Sequence, residues 1–581
     1  MKQIDTSNWI LILLGLLCLM PFVQPFHSAP ISSLFAEWQA FLVLWIALLI
    51  ACFHGKGIRQ SAIPKISLVG LLLLTFTAIQ FVIRPPEYVQ QVLLPMCYFV
   101  SLCGAIQLGF WLRQHGLIER SLLLLASFFV FGAAYTVAVQ FVQLLWPDFS
   151  AMPFMIPRLG GLNPYGNIGQ TNHVATYLAI GWASAQYLLS RGTVRLRSYL
   201  PFSFFLFAGL ILTGQRSGFI YVVCLSALFW RFPMTANAES ASPRRFVWVC
   251  GMPLIYLLLN YLLQVVFHYL GAEFFTASQR LNSGWDERFK LLQIGWSLFT
   301  EAPWFGIGWG RLASYEFLRA DVLPTMPANH VHNIVVQLLT ETGIFCTVAV
   351  LSIVFLWLLR LVKFPSSPEK QFVIGAIIVL SLHSLVEYPL WYAYFLLPLG
   401  VLAGMFESSV IRLKFPAMLT SVIIKGSSFV AIGVLFYSFF EAIYVTDMYG
   451  RRSINFYSRT LRVAELKELA QMPSQFFLKP YIDYIDSTGR ILNSENLPED
   501  MAINQRLLNT MIDNNVIVRQ SIYLAMAGRD AEAKTTFLRM KKIFPDRASE
   551  MLDMVQHTAK FTGNENLTVF SKWATEVVAQ K

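Results

Sequence analysis

Charged side chains are scarce in this sequence, and their scarcity limits what the protein can be. Only 13% of the 581 residues are Asp, Glu, Lys or Arg, while 56% are hydrophobic and 15% aromatic. Soluble domains carry roughly 25% charged residues, so a mostly water-exposed chain is excluded. We therefore expect most of the protein to lie in a lipid bilayer, as an all-α integral membrane protein.

Cysteine is also scarce outside hydrophobic sequence. All seven cysteines lie within or at the edge of apolar runs, at Cys18, Cys52, Cys97, Cys103, Cys224, Cys250 and Cys346. This placement excludes a disulfide framework and a cysteine-based metal site. The sequence also lacks a repeat of solenoid period and a low-complexity linker.

Apolar runs of spanning length, which is roughly 20 residues, indicate about thirteen membrane helices. The runs lie near 9–26, 36–53, 66–83, 89–112, 121–146, 174–190, 199–215, 217–231, 246–269, 332–359, 371–389, 391–411 and 418–445. The first run has the length of a signal peptide, but the many spans that follow favour an anchor. We predict a polytopic membrane domain over 1–445 and a polar helical domain over 446–581.

Lysine and arginine are concentrated in every second loop, which predicts the orientation of the chain. The basic loops contain Lys56, Arg59, Lys65, Arg113, Arg120, Arg191, Arg195, Arg197, Arg231, Arg244, Arg245, Arg360, Lys363, Lys370, Arg412 and Lys414. We assign these loops to the cytoplasm, which places the amino terminus inside and the polar tail outside. The net charge of +11 is then a topology signal and requires no nucleic-acid partner.

Polar motifs gather in two loops assigned to the outer side, at about 147–173 and 270–331. The first loop is rich in glycine and offers hydrogen-bonding groups that suit a sugar or a peptide hydroxyl, namely Asn167, Gln170, Asn172 and His173. A turn-rich loop without a ligand is the alternative interpretation.

Two outward arginines are candidate anion ligands. Arg216 is placed between two apolar runs, where a charge is expensive unless it is paired, and snorkelling to lipid headgroups is the alternative. Arg288 lies in the second outer loop. Since the planar guanidinium binds phosphate oxygens in a bidentate manner, the two arginines are suited to clamp one anion.

Two histidines, His330 and His332, lie where the second outer loop meets the next apolar run. Imidazole titrates near neutral pH and can accept a proton there. In the alternative interpretation, His332 and Asn333 only cap and anchor the helix. His383 and Glu387, four residues apart, share a helix face, as a substrate site or as a buried pair that joins helices. No Asp or Cys spacing completes a metal site with these histidines.

These motifs resemble those of the O-antigen ligase and polymerase superfamily. His332 and Asn333, followed after nine residues by Gly343, match its general signature, and Cys346 stands where a small or tyrosyl residue is usual. The Arg216 segment resembles the threonine-to-arginine motif of the family. Arg288 and the stretch Pro303–Gly310 resemble its outer-loop motif, and the similarity is strongest over about 150–410.

Two further stretches resemble the protein-glycosylating branch, the PglL-type O-oligosaccharyltransferases. They are Gly166–His173 and His383–Tyr392. The resemblance implies a GT-C-like ligase fold in the bacterial inner membrane, with a periplasmic active site. It also implies inverting, metal-independent transfer, without a cofactor, of a whole glycan from undecaprenyl diphosphate to Ser or Thr of a periplasmic or pilin-like protein.

The resemblance assigns roles to the candidate residues. His332 is implied as the base, Arg216 and Arg288 as ligands of the diphosphate, and Asn333, His330 or Glu387 as groups that orient the base. The alternatives are an O-antigen ligase that uses a lipid A-core acceptor, a polymerase of repeat units, or a non-enzymatic flippase. The tail pattern of helix, Gly528, helix and Pro545 resembles one tetratricopeptide-like unit, which either contacts the acceptor or caps the protein.

Overall fold

The computed structural model describes residues 6–54, 62–146, 153–158, 163–231, 243–277, 279, 285–326, 328–412, 417–454, 476–490, 492 and 496–580. Within these ranges the backbone is almost entirely helical, so the predicted all-α class is confirmed. One short antiparallel ribbon joins β1 (Ala62–Pro64) to β2 (Val410–Arg412). Lys56, Arg59 and Lys414, which support the predicted orientation, lie outside the described residues.

Every predicted apolar run contains at least one helix. The membrane-region helices are α1 (Thr6–Leu17), α2 (Met20–Val23), α3 (Leu34–Phe53), α4 (Leu68–Ile83), α5 (Gln90–Gln114), α6 (Ile118–Leu145), α7 (Thr171–Ser190), α8 (Leu196–Leu212), α9 (Arg216–Arg231), α10 (Pro243–Tyr269), α11 (Trp285–Glu301), α12 (Leu312–Leu318), α13 (Ile334–Lys363), α14 (Pro368–Ser384), α15 (Ala393–Met405) and α16 (Ala417–Ile454). Eight described segments are long and apolar enough to cross a bilayer, and shorter apolar helices accompany them.

The chain forms two compact units. The first contains Met1–Leu71, Tyr98–Gly284 and Val350–Leu435. At its centre α7 is buried along nearly its whole length and packs against α6, α8, α9 and α14. Small residues permit this packing: a Cβ on Gly181 would lie only 2.6 Å from the Cβ of Ala133 on α6, as is typical of closely packed membrane helices.

Loops from the predicted basic set contact one another within this first unit. Arg191 forms salt bridges with both Glu119 and Glu369. Arg360 binds Glu407 through two hydrogen bonds of 3.1 and 2.8 Å. The ribbon of β1 and β2 also joins two basic loops. These contacts join loops that the sequence assigns to the same side of the membrane, and the orientation itself stays a prediction.

The second unit contains Leu72–Cys97, Trp285–Ala349 and Phe436–Lys581. Its tail helices are α17 (Lys479–Gly489), α18 (Leu497–Leu508), α19 (Asn514–Met526), α20 (Asp530–Ile543), α21 (Ala548–Thr562) and α22 (Glu565–Ala579). The predicted helix, Gly528 turn and helix are confirmed, with Gly528 at φ 76° between α19 and α20. This compact unit groups the tail with the outer loop and the α4–α5 connection.

Candidate active site

Helix α13 begins directly after Asn333, which caps it. The side-chain oxygen of Asn333 accepts hydrogen bonds from the N–H groups of Val335 and Val336, both at 3.1 Å. Gln337 reaches back to accept a bond of 2.8 Å from the N–H of Val331. These contacts satisfy amides that a helix start leaves free. Asn333 is therefore a helix cap, and its role beside the base stays a prediction.

His332 has a strained backbone, with φ at 56°. Among the described residues it alone, apart from glycines, has a positive φ. The left-handed conformation costs an L-residue about 1–2 kcal/mol and is found preferentially at functional sites. His332 is half-buried at the junction of the outer loop with α13. This observation favours a functional role for His332 over simple anchoring.

His330 supports that conformation. Its Nδ1 accepts a hydrogen bond of 2.9 Å from the backbone N–H of His332. Burial lowers the pKa of His330 to about 3, and the neighbouring charge of His332 acts in the same direction. His330 is therefore neutral near pH 7, with its proton on Nε2. So weak a base cannot take a proton at that pH, and His330, at 5% exposure, fits the orienting role that the resemblance implies for it.

The glycine of the signature has a structural explanation. Gly343 adopts φ 74° and ψ −179°, which breaks α13 into two helical segments. A Cβ at this position would lie 2.4 Å from the carbonyl oxygen of Trp304. The N–H of Ile344, next to the break, donates to the oxygen of Pro303 over 2.8 Å. The outer-loop motif therefore packs against the break in α13. Cys346, three residues beyond the break, is 2% exposed, and its small side chain fits this buried position.

The outer-loop motif contacts α13 through its own glycine. A Cβ on Gly306 would lie 2.3 Å from the carbonyl carbon of Glu341. The N–H of Ile307 donates to the oxygen of Thr340 over 2.9 Å, and the N–H of Gly310 donates to Oε1 of Glu341 over 2.8 Å. Two separate sequence motifs, Pro303–Gly310 and the His332–Gly343 signature, are therefore locked together by backbone contacts.

Arg288 lies on the face of α11 that approaches the histidines. Gly295, seven residues later on the same face, packs against Val331, where an added Cβ would lie 2.6 Å away. The hydroxyl of Thr340 donates to the oxygen of Gly295 over 2.9 Å. Seven residues of helix advance about 10 Å. The half-buried Arg288 is therefore about two turns from the helix contact with the histidine segment.

In the first unit, α7 and the end of α14 exchange a matched pair of hydrogen bonds. Nδ2 of Asn172 donates to Oε1 of Glu387 over 2.9 Å. One turn along, the hydroxyl of Thr176 lies 2.7 Å from Nδ1 of His383. The partners are four residues apart in both segments, but α14 ends at Ser384, so Glu387 faces α7 from the turn after the helix and not from the predicted helix face. Their burial, at 1% and 5% exposure, favours the interpretation as a pair that joins helices.

The remaining residues of the first outer loop differ in exposure. His173 is buried, with its Nδ1 3.1 Å from the hydroxyl of Tyr394. Asn167 has no exposed surface, and its Nδ2 donates to the oxygens of Val23 and Phe154, both at 2.7 Å. Both residues make structural contacts here, and their predicted contacts with a sugar stay a prediction.

Two of the predicted binding residues, Gln170 and Arg216, are half-buried at the starts of α7 and α9. Gln170 precedes α7, and Arg216 is the first residue of α9. Nε2 of Gln215 donates to the hydroxyl of Thr171 over 2.7 Å, which ties the two helix starts together. The sequence analysis missed Thr176, whose spacing of four from Asn172 could have revealed it.

Family comparisons agree with this arrangement. Residues 201–351 match the family model described as O-antigen ligase, 164–189 match protein glycosylation ligase, and 371–559 match the C-terminal model of a virulence factor membrane-bound polymerase. The chain is 22% identical over 414 residues to the general O-oligosaccharyltransferase of Acinetobacter baylyi, covering 69% of this chain and 70% of the relative. It is 23% identical over 397 residues to the ComP-specific O-oligosaccharyltransferase of the same organism, covering 67% and 70%.

Over these ranges the chain is similar to the O-antigen ligase and polymerase superfamily. The protein glycosylation match and both relatives are similarities to the protein-glycosylating branch, and they indicate that this ligase is a glycosyltransferase. The O-antigen ligase match spans Arg216, Arg288 and His332. The polymerase match begins before His383 and continues to residue 559, which makes most of the polar tail part of a shared family region.

No group of three or more His, Cys, Asp or Glu side chains converges as a metal site within the part of the chain that the structure describes. Metal-independent transfer by this ligase remains a prediction from the resemblance.

Proposed function

We propose that this ligase is a protein O-oligosaccharyltransferase. It moves a whole glycan from undecaprenyl diphosphate to a Ser or Thr hydroxyl of a periplasmic acceptor protein, with pilin-like proteins among the candidates. The observation that carries the proposal is the strained His332, whose backbone is bound by a neutral His330. The names of the two relatives, both protein O-oligosaccharyltransferases, support the choice of a protein acceptor.

His332 acts as the general base in this proposal. It removes the proton of the acceptor hydroxyl while the hydroxyl oxygen forms a bond to the anomeric carbon. The bond between that carbon and the diphosphate oxygen breaks on the opposite side, which inverts the configuration and releases undecaprenyl diphosphate. General-base catalysis contributes on the order of 10²- to 10⁴-fold, and positioning of the reactants must supply much of the rest.

Arginine supplies the charge that the leaving group requires. The diphosphate gains negative charge as the bond breaks, and a fixed guanidinium stabilises that charge with little reorganisation. Arg288 is favoured by its place on the α11 face that packs against the histidine segment. Arg216 is proposed as the second diphosphate ligand because of its sequence motif and its place at the start of α9. Both bind phosphate oxygens in a bidentate manner in this proposal.

The half-buried side chains of the first unit are proposed as glycan or acceptor contacts. Gln170 and Asn172 lie next to the start of α7. Glu387 fixes the amide of Asn172 by accepting from its Nδ2, so the Asn172 oxygen has a defined direction. His383 and His173 support this group from the buried side through Thr176 and Tyr394.

The proposed location is the bacterial inner membrane, with the histidine loop and the tail in the periplasm. The positive loops assigned to the cytoplasm support this orientation. Reporter fusions that end at Gly192 and at Gly528 are expected to report the cytoplasm and the periplasm respectively. The same compartment for both fusions contradicts the proposed orientation.

A transfer assay tests the reaction. The purified ligase is mixed with a lipid-linked oligosaccharide and either a Ser-containing acceptor protein or lipid A-core, and the products are analysed by mass spectrometry. We expect glycan mass on the protein at Ser or Thr, and its loss in His332→Asn. Glycan on lipid A-core alone identifies an O-antigen ligase instead, and glycan chains lengthened on the lipid carrier identify a polymerase.

A further inference from the structure

Helix α12 belongs to two hydrophobic clusters at once. Leu312 at its start packs with Leu323 and with Val331, the residue between the two histidines. Phe317 near its end and Ala320 just beyond it are buried in the hydrophobic core of the tail helices. This short helix therefore connects the core beneath the histidine segment to the core of the tail.

Polar contacts reinforce the same connection. Residues 319–326, which we call the strap, run from α12 towards the histidines. The guanidinium of Arg539 on α20 forms a salt bridge of 2.9 Å with Asp321 of the strap and lies 5.6 Å from the centre of the Phe317 ring. Nζ of Lys542 donates to the carbonyl oxygen of Asp321 over 3.3 Å, and the hydroxyl of Thr325 donates to the carbonyl oxygen of Lys542 over 2.9 Å.

A buried carboxylate holds the chain between the strap and the histidines. Glu316 of α12 is 2% exposed and accepts hydrogen bonds from the backbone N–H groups of Met326, at 2.5 Å, and Ala328. Ala328 is only two residues before His330. A displacement of α12 would therefore be transmitted through Glu316 to the backbone that carries His330 and His332.

We propose that the C-terminal helical tail is a positioning element for His332, acting through α12 and the strap. The inference rests on the proposed role of His332 as the base. His332 occupies a left-handed conformation that its surroundings must enforce, and the hydrogen bond from its N–H to His330 requires the preceding backbone to stay in place. The tail provides the fixed surface against which that backbone is held.

Positioning predicts a different kinetic effect from acceptor docking. A displaced base slows the chemical step for every acceptor, and a misplacement of 1 Å can cost about 100-fold in rate. A lost docking surface instead weakens binding of a whole acceptor protein and leaves a short peptide acceptor unaffected. The salt bridge is partly exposed, with the side chain of Asp321 58% and that of Arg539 20% exposed. An exposed pair contributes only about 0–1 kcal/mol to stability, so the protein level and thermal stability of the charge-reversal variant are measured beside its kinetics.

The test compares Arg539→Asp, which places a negative charge beside Asp321, with the double swap Asp321→Arg/Arg539→Asp. Arg529→Asp is the matched control, because Arg529 starts the same helix but pairs with Glu532 of the tail itself. We expect kcat to fall about tenfold in Arg539→Asp with unchanged acceptor KM, equally for a short Ser peptide and for a folded acceptor protein. The swap restores most of kcat, and the control keeps wild-type kinetics.

Several outcomes overturn the proposal. The proposal is wrong if Arg539→Asp keeps the wild-type kcat. It is also wrong if the KM rises only for the folded acceptor, because that result would indicate docking. No rescue by the swap, at equal protein level and thermal stability, also overturns the proposal. If Arg539→Asp is found at reduced level in the membrane, Asp321→Asn provides the milder variant with the same expectation. A separate result tests the proposed function: full glycan transfer by His332→Asn, with the tail intact, would show that His332 is not the base.

Discussion

The backbone N–H of His332 donates a hydrogen bond of 2.9 Å to Nδ1 of His330. The bond uses the ring of one histidine to fix the backbone of the other, and it requires the His330 proton on Nε2. Burial keeps His330 neutral by lowering its pKa to about 3. The two histidines, two residues apart, are therefore chemically different: one is a buried acceptor and the other is the half-buried candidate base.

The first prediction separates their roles. His332→Asn removes the base but tolerates the left-handed backbone, since Asn is enriched at positive φ. We expect loss of glycan transfer with unchanged protein level and unchanged binding of the lipid-linked donor. His330→Ala removes the acceptor of the backbone bond and should lower kcat by about tenfold, or roughly 1.4 kcal/mol. Transfer to an acceptor peptide and donor binding, measured side by side, provide the check.

The result for the two variants can also go against this assignment. Full transfer by His332→Asn shows that His332 is not the base. A complete loss in His330→Ala, with transfer retained in His332→Asn, moves the base to His330.

Sequence patterns predicted the helices and the histidines but not the contacts between distant segments. Hydrophobic runs and the His332 to Gly343 spacing can be read along the chain, because both depend on local order. The bond between Asn172 and Glu387 joins residues 215 apart, and periodicity contains no information about such a pairing. The sequence offers a helix cap at Asn333 as one interpretation. It does not predict the left-handed φ of His332, which arises from tertiary contacts.

The second prediction concerns the helix break. Gly343→Ala places a methyl group 2.4 Å from the Trp304 oxygen and forces Ala into a backbone region that is essentially restricted to glycine. We expect a loss of about 1–3 kcal/mol from backbone strain alone, seen as a lower thermal midpoint, together with reduced transfer. Gly426→Ala is the matched control, because Gly426 lies within α16 with open space around it. A helical Gly to Ala change of that kind is expected to be neutral or slightly stabilising. Equal midpoints for the two variants contradict this account of Gly343.

The third prediction tests the bond between Asn172 and Glu387. Glu387→Gln keeps an oxygen that accepts from Asn172, so we expect stability and transfer close to those of the unmodified ligase. Glu387→Ala leaves the half-buried amide of Asn172 without its acceptor, which costs about 1 kcal/mol, the lower end of the range for a buried group, and should lower both. Thr176→Val, one turn deeper, removes the companion bond to His383 and should lower stability without raising the acceptor KM. Normal stability with abolished transfer in Glu387→Gln would instead assign a direct role to the carboxylate charge.

The last prediction uses the pKa of His330. The folded-state pKa of about 3 lies below the ordinary value of 6.5, so the unfolded chain binds more protons between those two pH values. The contribution of His330 to the stability of the protein is therefore expected to fall as the pH is lowered from about 6.5 towards 3. Glu316 acts in the opposite direction, because burial raises its pKa from 4.5 to about 7, and its contribution grows as the pH falls through that window.

A variant isolates the histidine from the carboxylate. His330→Gln retains an oxygen acceptor for the N–H of His332 but does not titrate, so it should remove the acid-induced loss that His330 causes. The difference in thermal midpoint between the unmodified protein and His330→Gln, measured from pH 7 to pH 4, cancels the contribution of Glu316. We expect the variant to gain in relative stability steadily as the pH falls. A difference that is constant with pH would show that His330 is not held neutral in the folded protein, and it would remove the distinction between the two histidines on which the assignment of His332 depends.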